Sequence, residues 1–172
     1  MSAIANRHKQ YYDFTGIQND LFQRSREGTK NFKNLLEIVI SDENILLAYR
    51  QVKSNTGSKT PGTDDKTILD LANTNQDEFI HYMRELVLNY KPKSVRRVWI
   101  DKNYSKGKRP LGIPCIQDRI VQQMFLNVLE PICEGKFYNH SYGFRPTRTT
   151  RHAVARVQTL VNINKYHYTV DI

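Results

Sequence analysis

The sequence is poor in cysteine: its 172 residues hold two, Cys115 and Cys133. They form no CxxC pair and lie in or beside apolar helical sequence. That argues against a disulfide framework or a cysteine metal cluster and predicts two reduced, buried thiols. Long apolar runs are missing as well. None approaches the roughly 20 residues that cross a bilayer, and residues 1–8 hold no apolar signal core. A soluble, cytoplasmic protein without membrane contact is expected. The histidines His8, His81, His140, His152 and His167 stand at no metal-ligand spacing. Ser141 beside His140 is no hydrolase signature. No catalytic residue and no metal ligand is therefore assigned within the chain.

What is present is positive charge and enough apolar sequence for a core. Lysine and arginine number 26 against 17 acids, a net charge of +9, which favours a polyanionic partner. The charge is clustered. Residues 91–109 carry Lys91, Lys93, Arg96, Arg97, Lys102, Lys106, Lys108 and Arg109 against Asp101 alone. Residues 135–170 contain no acid. Instead they hold Lys136, Arg145, Arg148, Arg151, Arg156 and Lys165, interleaved with Phe137, Tyr138, Tyr142 and Phe144. Cations beside aromatics neutralise phosphates and stack on bases or sugars.

Periodicity predicts an α+β chain, mostly helical. Residues 1–30 read as a polar arm with a short helix near Leu21 and Phe22. Helical spacing follows from Phe32, with Ser41 and Asp42 as a cap site. The glycine-containing stretch 54–64 reads as a loop. Asp77 is the expected cap of a helix carrying Phe79, Ile80, Met83, Leu86 and Val87. Residues 95–100 and 109–113 alternate as two strands of a hairpin. There Arg97 and Trp99 share one face, and Arg96 and Val98 the other. Asp118 is the expected cap of the strongest helix, whose stripe Ile120, Val121, Met124, Phe125, Val128, Leu129 and Ile132 reads as core. Another amphipathic helix carries Ala153, Val154, Val157, Leu160 and Val161. Residues 166–172 alternate like a strand and stop without a cap or turn, which predicts a domain cut there. The organisation expected is an arm at 1–30, a helical extension at 31–90, a basic unit at 91–165 and a truncated strand at 166–172.

Three blocks then match a known family. Val95-Arg96-Arg97-Val98-Trp99-Ile100, Lys108-Arg109-Pro110-Leu111-Gly112-Ile113-Pro114 and Asp118-Arg119-Ile120-Val121-Gln122-Gln123 resemble the first block of group II intron reverse transcriptases. Val128-Leu129-Glu130-Pro131-Ile132, Lys136-Phe137 and His140-Ser141-Tyr142-Gly143-Phe144-Arg145-Pro146 with Arg148 resemble the second. The loop at 57–64 resembles the block that this family carries ahead of its fingers.

The resemblance implies a reverse-transcriptase fingers subdomain, packed helices on a short antiparallel hairpin, ending where the palm begins. It implies that Lys102 and Arg109 contact the incoming dNTP, with Lys106 and Lys108 as rivals to Lys102. An internal salt bridge is the other reading of Arg109. It assigns Lys91, Lys93, Arg96, Arg97, Lys106, Lys108, Arg145, Arg148 and Arg151 to nucleic acid. Arg145 stays open between a template contact and a buried fork on carbonyls. The 57–64 loop stays open between closure over the template and an ordinary surface loop. Hairpin and aromatic loop are expected to share one groove.

The partners implied are intron RNA as template, a DNA primer, dNTP and a second copy of the chain. The parent enzyme is an RNA-directed DNA polymerase using Mg2+, and the 172 residues alone are expected to bind none and to be inactive. By the family's register the metal-binding aspartate would follow Ile172, with Asp171 its neighbour. The alternatives are an RNA-binding maturase that promotes splicing, or a retron, diversity-generating or CRISPR-associated reverse transcriptase.

Overall fold

The computed structural model describes residues 3–102, 106–166 and 168, with side chains from 13 onward. Its elements in chain order are α1 (Ala3–Arg26), α2 (Leu35–Val39), α3 (Asp42–Ser54), a 3-10 turn (Thr56–Lys59), α4 (Ile68–Leu71), α5 (Gln76–Leu88), β1 (Arg96–Asp101), β2 (Lys108–Ile113), α6 (Ile116–Lys136) and α7 (Thr150–Asn162). The strands pair antiparallel as a two-stranded sheet. The α+β expectation therefore holds. The strand expected at 166–172, with Asp171, lies outside the described residues except for Tyr166 and Tyr168, which belong to no element. Asn103, Tyr104 and Ser105 of the hairpin turn lie outside them too.

Helix α6 is the spine, about 30 Å long for its 21 residues. Its buried face, Ile116, Ile120, Val121, Met124, Val128 and Ile132, meets α1 and α3 most extensively. From α1 come Phe14 and Leu21; from α3 come Ile45, Ala48 and Val52; α5 adds Phe79 and Met83. Two members of the expected core stripe, Phe125 and Leu129, are instead exposed, because no element of the described residues covers that side of α6.

The polar arm expected at the N-terminus is a 24-residue helix. Its buried positions Phe14, Leu21 and Ser25 recur at helical spacing, but two polar residues share that side and mask the pattern. Their role lies in α6. Pro131 sits inside that helix and has no N–H to give the Asn127 carbonyl. Gln18 Nε2 donates to that carbonyl at 2.8 Å. Ser25 Oγ donates to the Ile132 carbonyl at 2.6 Å. A Cβ on Gly135 would lie 2.7 Å from that of Ser25, so glycine there permits the close helix crossing.

The helix caps show one match and two shifts. Ser41 caps α3, its side chain accepting from the Asn44 N–H. Asn75, not Asp77, caps α5, accepting from the Asp77 N–H at 2.9 Å. Helix α6 begins ahead of Asp118, with Cys115 at its N-cap. Asp118 turns inward and accepts from the Tyr90 hydroxyl at 3.1 Å and the Lys93 N–H at 3.3 Å. Helix α7 has no buried residue: Val154, Val157 and Val161 face outward.

Candidate nucleic-acid interface

Strand β1 carries the β-branched and aromatic residues Val98, Trp99 and Ile100, and β2 pairs with it across a glycine-containing turn. The register pairs Trp99 with Pro110, Ile100 with Arg109 and Asp101 with Lys108. Exposure alternates along β1, as the sequence predicts: Arg97, Trp99 and Asp101 point out, while Arg96, Val98 and Ile100 are half-buried. Cross-strand partners share a face, so Arg109 lies on the Arg96 side and Lys108 on the Trp99 side. Alternation places Lys102 beside Arg109; its N–H donates to the Gly107 carbonyl at 3.1 Å. Among the described residues, no hydrogen bond or ion pair holds the side chains of Lys91, Arg97, Lys102, Lys106, Lys108 or Arg109. The hairpin thus presents cations not neutralised by the described residues.

Two other members of this cluster differ from these: Lys93 is engaged internally, and Arg96 is half-buried. Lys93 Nζ donates to Asp64 Oδ2 and to Gln117 Oε1, both at 2.9 Å. The hydrogen bond to Asp64 raises the Lys93 pKa. At Asp64 burial pushes the carboxyl up, but hydrogen bonds, that from Lys93 foremost, outweigh it and leave the pKa below its ordinary value. Arg96 has a buried Nε with no hydrogen-bond partner among the described residues. The Lys93 ammonium thus joins the 57–64 loop to the first turn of α6 while its side chain stays 43% exposed.

That loop is seated rather than free. Arg119 donates from Nε to the Pro114 carbonyl at 2.9 Å, from Nη1 to Gly57 at 2.8 Å and from Nη2 to Thr60 at 2.5 Å. Thr63 Oγ1 donates to the Ser94 carbonyl at 2.8 Å. A Cβ on Gly62 would fall 2.6 Å from Cys115 Cα. Burial pushes the Arg119 pKa down. Sequence reasoning gave Arg119 no role. The available signal was an arginine in the first turn of a helix, where the macrodipole disfavours a cation and a tertiary partner is needed.

At the far end of α6 the aromatic loop folds around Arg145. Its Nε and Nη2 grip Glu134 at 2.8 to 3.2 Å. Its Nη1 donates to the Tyr138 and Ser141 carbonyls at 2.8 and 3.0 Å. The side chain is 6% exposed and lies over the Phe137 ring. These bonds match the fork reading in that this guanidinium builds the loop, with its acceptors Glu134 and two carbonyls inside the fold. Arg148 donates to the Asn139 carbonyl at 2.9 Å and covers the Tyr142 ring, keeping further N–H groups available. Arg151 is exposed in the first turn of α7.

The hydrogen bonds from Arg145 hold the Glu134 carboxyl below its ordinary value of 4.5. A depressed carboxylate stabilises the folded loop fully above the unfolded-state value and loses that contribution as pH falls through the folded value. Acidification below about 4.5 should therefore loosen the loop, and Glu134→Gln should abolish that step. Tyrosine fluorescence checks this; a step that survives in Glu134→Gln would contradict it.

The groove expected to join the two basic clusters is not among the clefts of the described residues. A cleft of about 740 Å³ beside α1 is lined by Arg26, Glu134, Arg145 and Arg148 and by no hairpin residue. The hairpin enters α6 at one end and the loop leaves at the other. The attachment points are therefore about 30 Å apart along the helix axis. Among the described residues no three His, Cys, Asp or Glu side chains gather to hold a metal ion. The Mg2+ implied by the resemblance finds no donor set there. No helix of the described residues is long and apolar enough to cross a membrane.

No family model matches the sequence. The chain is similar to Protein YkfC of Escherichia coli (strain K12), 40% identical over 131 residues that cover 73% of this chain and 33% of that protein. It is similar to the group II intron-encoded protein LtrA of Lactococcus lactis subsp. cremoris, 32% identical over 127 residues, 74% of this chain and 21% of that protein. A shorter match, 56% identical over 41 residues, covers 24% of this chain and 5% of the mitochondrial nuclear intron maturase 2 of Arabidopsis thaliana. The chain thus spans about a third of the first relative and a fifth of the second.

Proposed function

The chain belongs to the family of group II intron-encoded proteins, of the reverse transcriptase and maturase type, and from that premise we propose that it is the template- and dNTP-binding fingers portion of an RNA-directed DNA polymerase. The observation that carries this is the hairpin, where Lys102 and Arg109 share a face and stay unneutralised by the described residues. Phosphoryl transfer needs cations fixed on the phosphates where negative charge develops. A guanidinium offers a bidentate fork to such oxygens, and an ammonium a movable point charge. Exposed Arg97, Lys106 and Lys108 extend the same surface toward a template and its DNA primer. On this reading the longer protein acts in the cytoplasm and uses Mg2+ held by carboxylates elsewhere. The 172 residues alone extend no primer. Self-association through the exposed Phe125, Leu126 and Leu129 of α6 belongs to the same reading.

A second reading, an RNA-binding maturase that promotes splicing, is favoured by the second cationic and aromatic surface at 137–151. The two readings use different ends of α6 and are compatible.

The test is made in the longer polymerase that carries this chain. Arg109→Ala and Lys102→Ala should each raise KM for dNTP about tenfold or more, as expected for losing one charge-assisted contact. Arg109→Lys should recover only part of the loss, because the fork is gone. An unchanged KM for dNTP in both alanine variants would overturn the dNTP assignment.

A further inference from the structure

We propose that the loop at residues 137–148 is a preformed stacking platform for the unpaired bases of single-stranded RNA. This rests on the RNA-binding reading and goes beyond it by naming what the second surface holds. The loop displays rings that a folded chain would ordinarily cover. Tyr138 is 74% exposed and Phe144 fully so, at 110%. Phe144 also has φ 54, in the left-handed region that a bulky L-residue adopts only at a cost. A strained backbone that thrusts an apolar ring into water is unfavourable twice over, and such strain collects at functional sites.

The rings form a series. Tyr138 and His140 meet edge to face at 5.3 Å between centroids. His140 and Tyr142 follow at 6.5 Å and are tilted by 30°. The Arg148 guanidinium lies 5.7 Å from the Tyr142 ring. Beneath them Arg145 fixes the backbone through the Tyr138 and Ser141 carbonyls. The rings are thus held before any ligand arrives, which lowers the entropic cost of binding.

Charge selects the occupant. No acid occurs from 135 to 170, while Lys136, Arg148 and Arg151 flank the rings. A basic peptide would be repelled and a phosphate backbone attracted. A duplex keeps its base faces stacked inside, so the ligand that fits rings and cations together is an unpaired strand. A protein partner would also use exposed tyrosine, phenylalanine and arginine, and the test separates the two.

The experiment is fluorescence anisotropy of the 172-residue chain with a labelled, unstructured oligouridylate across a salt series. Tyr138→Ala and Phe144→Ala should each weaken binding about fivefold or more with no change in salt slope. Phe144→Trp should bind like the parent. Phe144→Leu, which keeps apolar contact but loses the π face, should bind like Phe144→Ala. Arg148→Ala should reduce the log–log slope by about 0.7, one phosphate contact. An RNA duplex of equal length should compete poorly. Unchanged thermal melting in each variant keeps the comparison one of binding alone. Full affinity in both alanine variants, or parent-like binding by Phe144→Leu, would overturn the platform while leaving the RNA-binding reading standing. A parent chain with no salt-dependent RNA binding would overturn that reading itself.

Discussion

Arg119→Met should lower the unfolding free energy by about 3 kcal/mol and release the 57–64 loop. Arg119 is the clasp between that loop and the spine helix, with one guanidinium serving three carbonyls at 2.5 to 2.9 Å. Hydrogen bonds to a charged group contribute about 1.5–3 kcal/mol each, and partial exposure of this one reduces the sum. Methionine keeps the stem's packing but removes the charged donor from three carbonyls, of which that of Gly57 alone keeps a second donor among the described residues, the Thr60 N–H. Arg119→Lys should restore less than half of the loss, since one ammonium cannot replace a planar fork that reaches three acceptors. The seat itself remains shaped for the loop, because Gly62 lies against Cys115. Denaturant unfolding gives the stability, and tryptic cleavage at Lys59 reports release. A loss below about 1 kcal/mol, the range of an ordinary surface substitution, would contradict the clasp.

Asn44→Leu is expected to cost more, about 4 kcal/mol. Asn44 is fully buried. Its Nδ2 donates to the Val39 and Met124 carbonyls, both at 2.9 Å. Its Oδ1 accepts from Asn127 Nδ2 at 3.0 Å, and Gln123 donates to Asn127 in turn. Leucine preserves the volume but strands a buried donor on Asn127 and removes a donor from two carbonyls. Each buried polar group left unsatisfied costs about 1–3 kcal/mol. The double variant Asn44→Leu/Asn127→Leu should then lose less than the sum of the singles, since both ends of one hydrogen bond disappear together. Additive losses in urea unfolding would show that the two amides do not act as a unit.

These two networks show where sequence reading stops. Alternation in 96–101 identified both strand faces, and the spacing of Ile120, Met124 and Val128 identified the buried side of α6, because each pattern follows directly from backbone geometry. Ser41 was legible as a cap for the same local reason. Helix α1 was hidden, since Gln18 and Ser25 occupy its inner side to serve carbonyls more than 100 residues away. The exposure of Phe125 and Leu129 was hidden as well: a stripe gives the orientation of a helix and does not say whether a partner covers all of it. The cationic sites were half legible. Clustering located both ends of α6, but a guanidinium donates equally well to a phosphate, a carboxylate or a carbonyl. The difference between Arg145, enclosed by its own loop, and Arg109, exposed on the hairpin, required coordinates. So did the distance that gives the two clusters separate surfaces.

The claim on which the functional account depends is that cations left unneutralised by the fold engage the phosphates of a single strand. Its most direct measurement is the affinity of the 172-residue chain for unstructured RNA as a function of salt, beside a Lys102→Ala/Lys108→Ala/Arg109→Ala variant. With about six phosphates engaged, log affinity against log salt should fall with a slope near −4, and near −2 in the triple variant. A slope near zero, or one that the triple variant leaves unchanged, would contradict it.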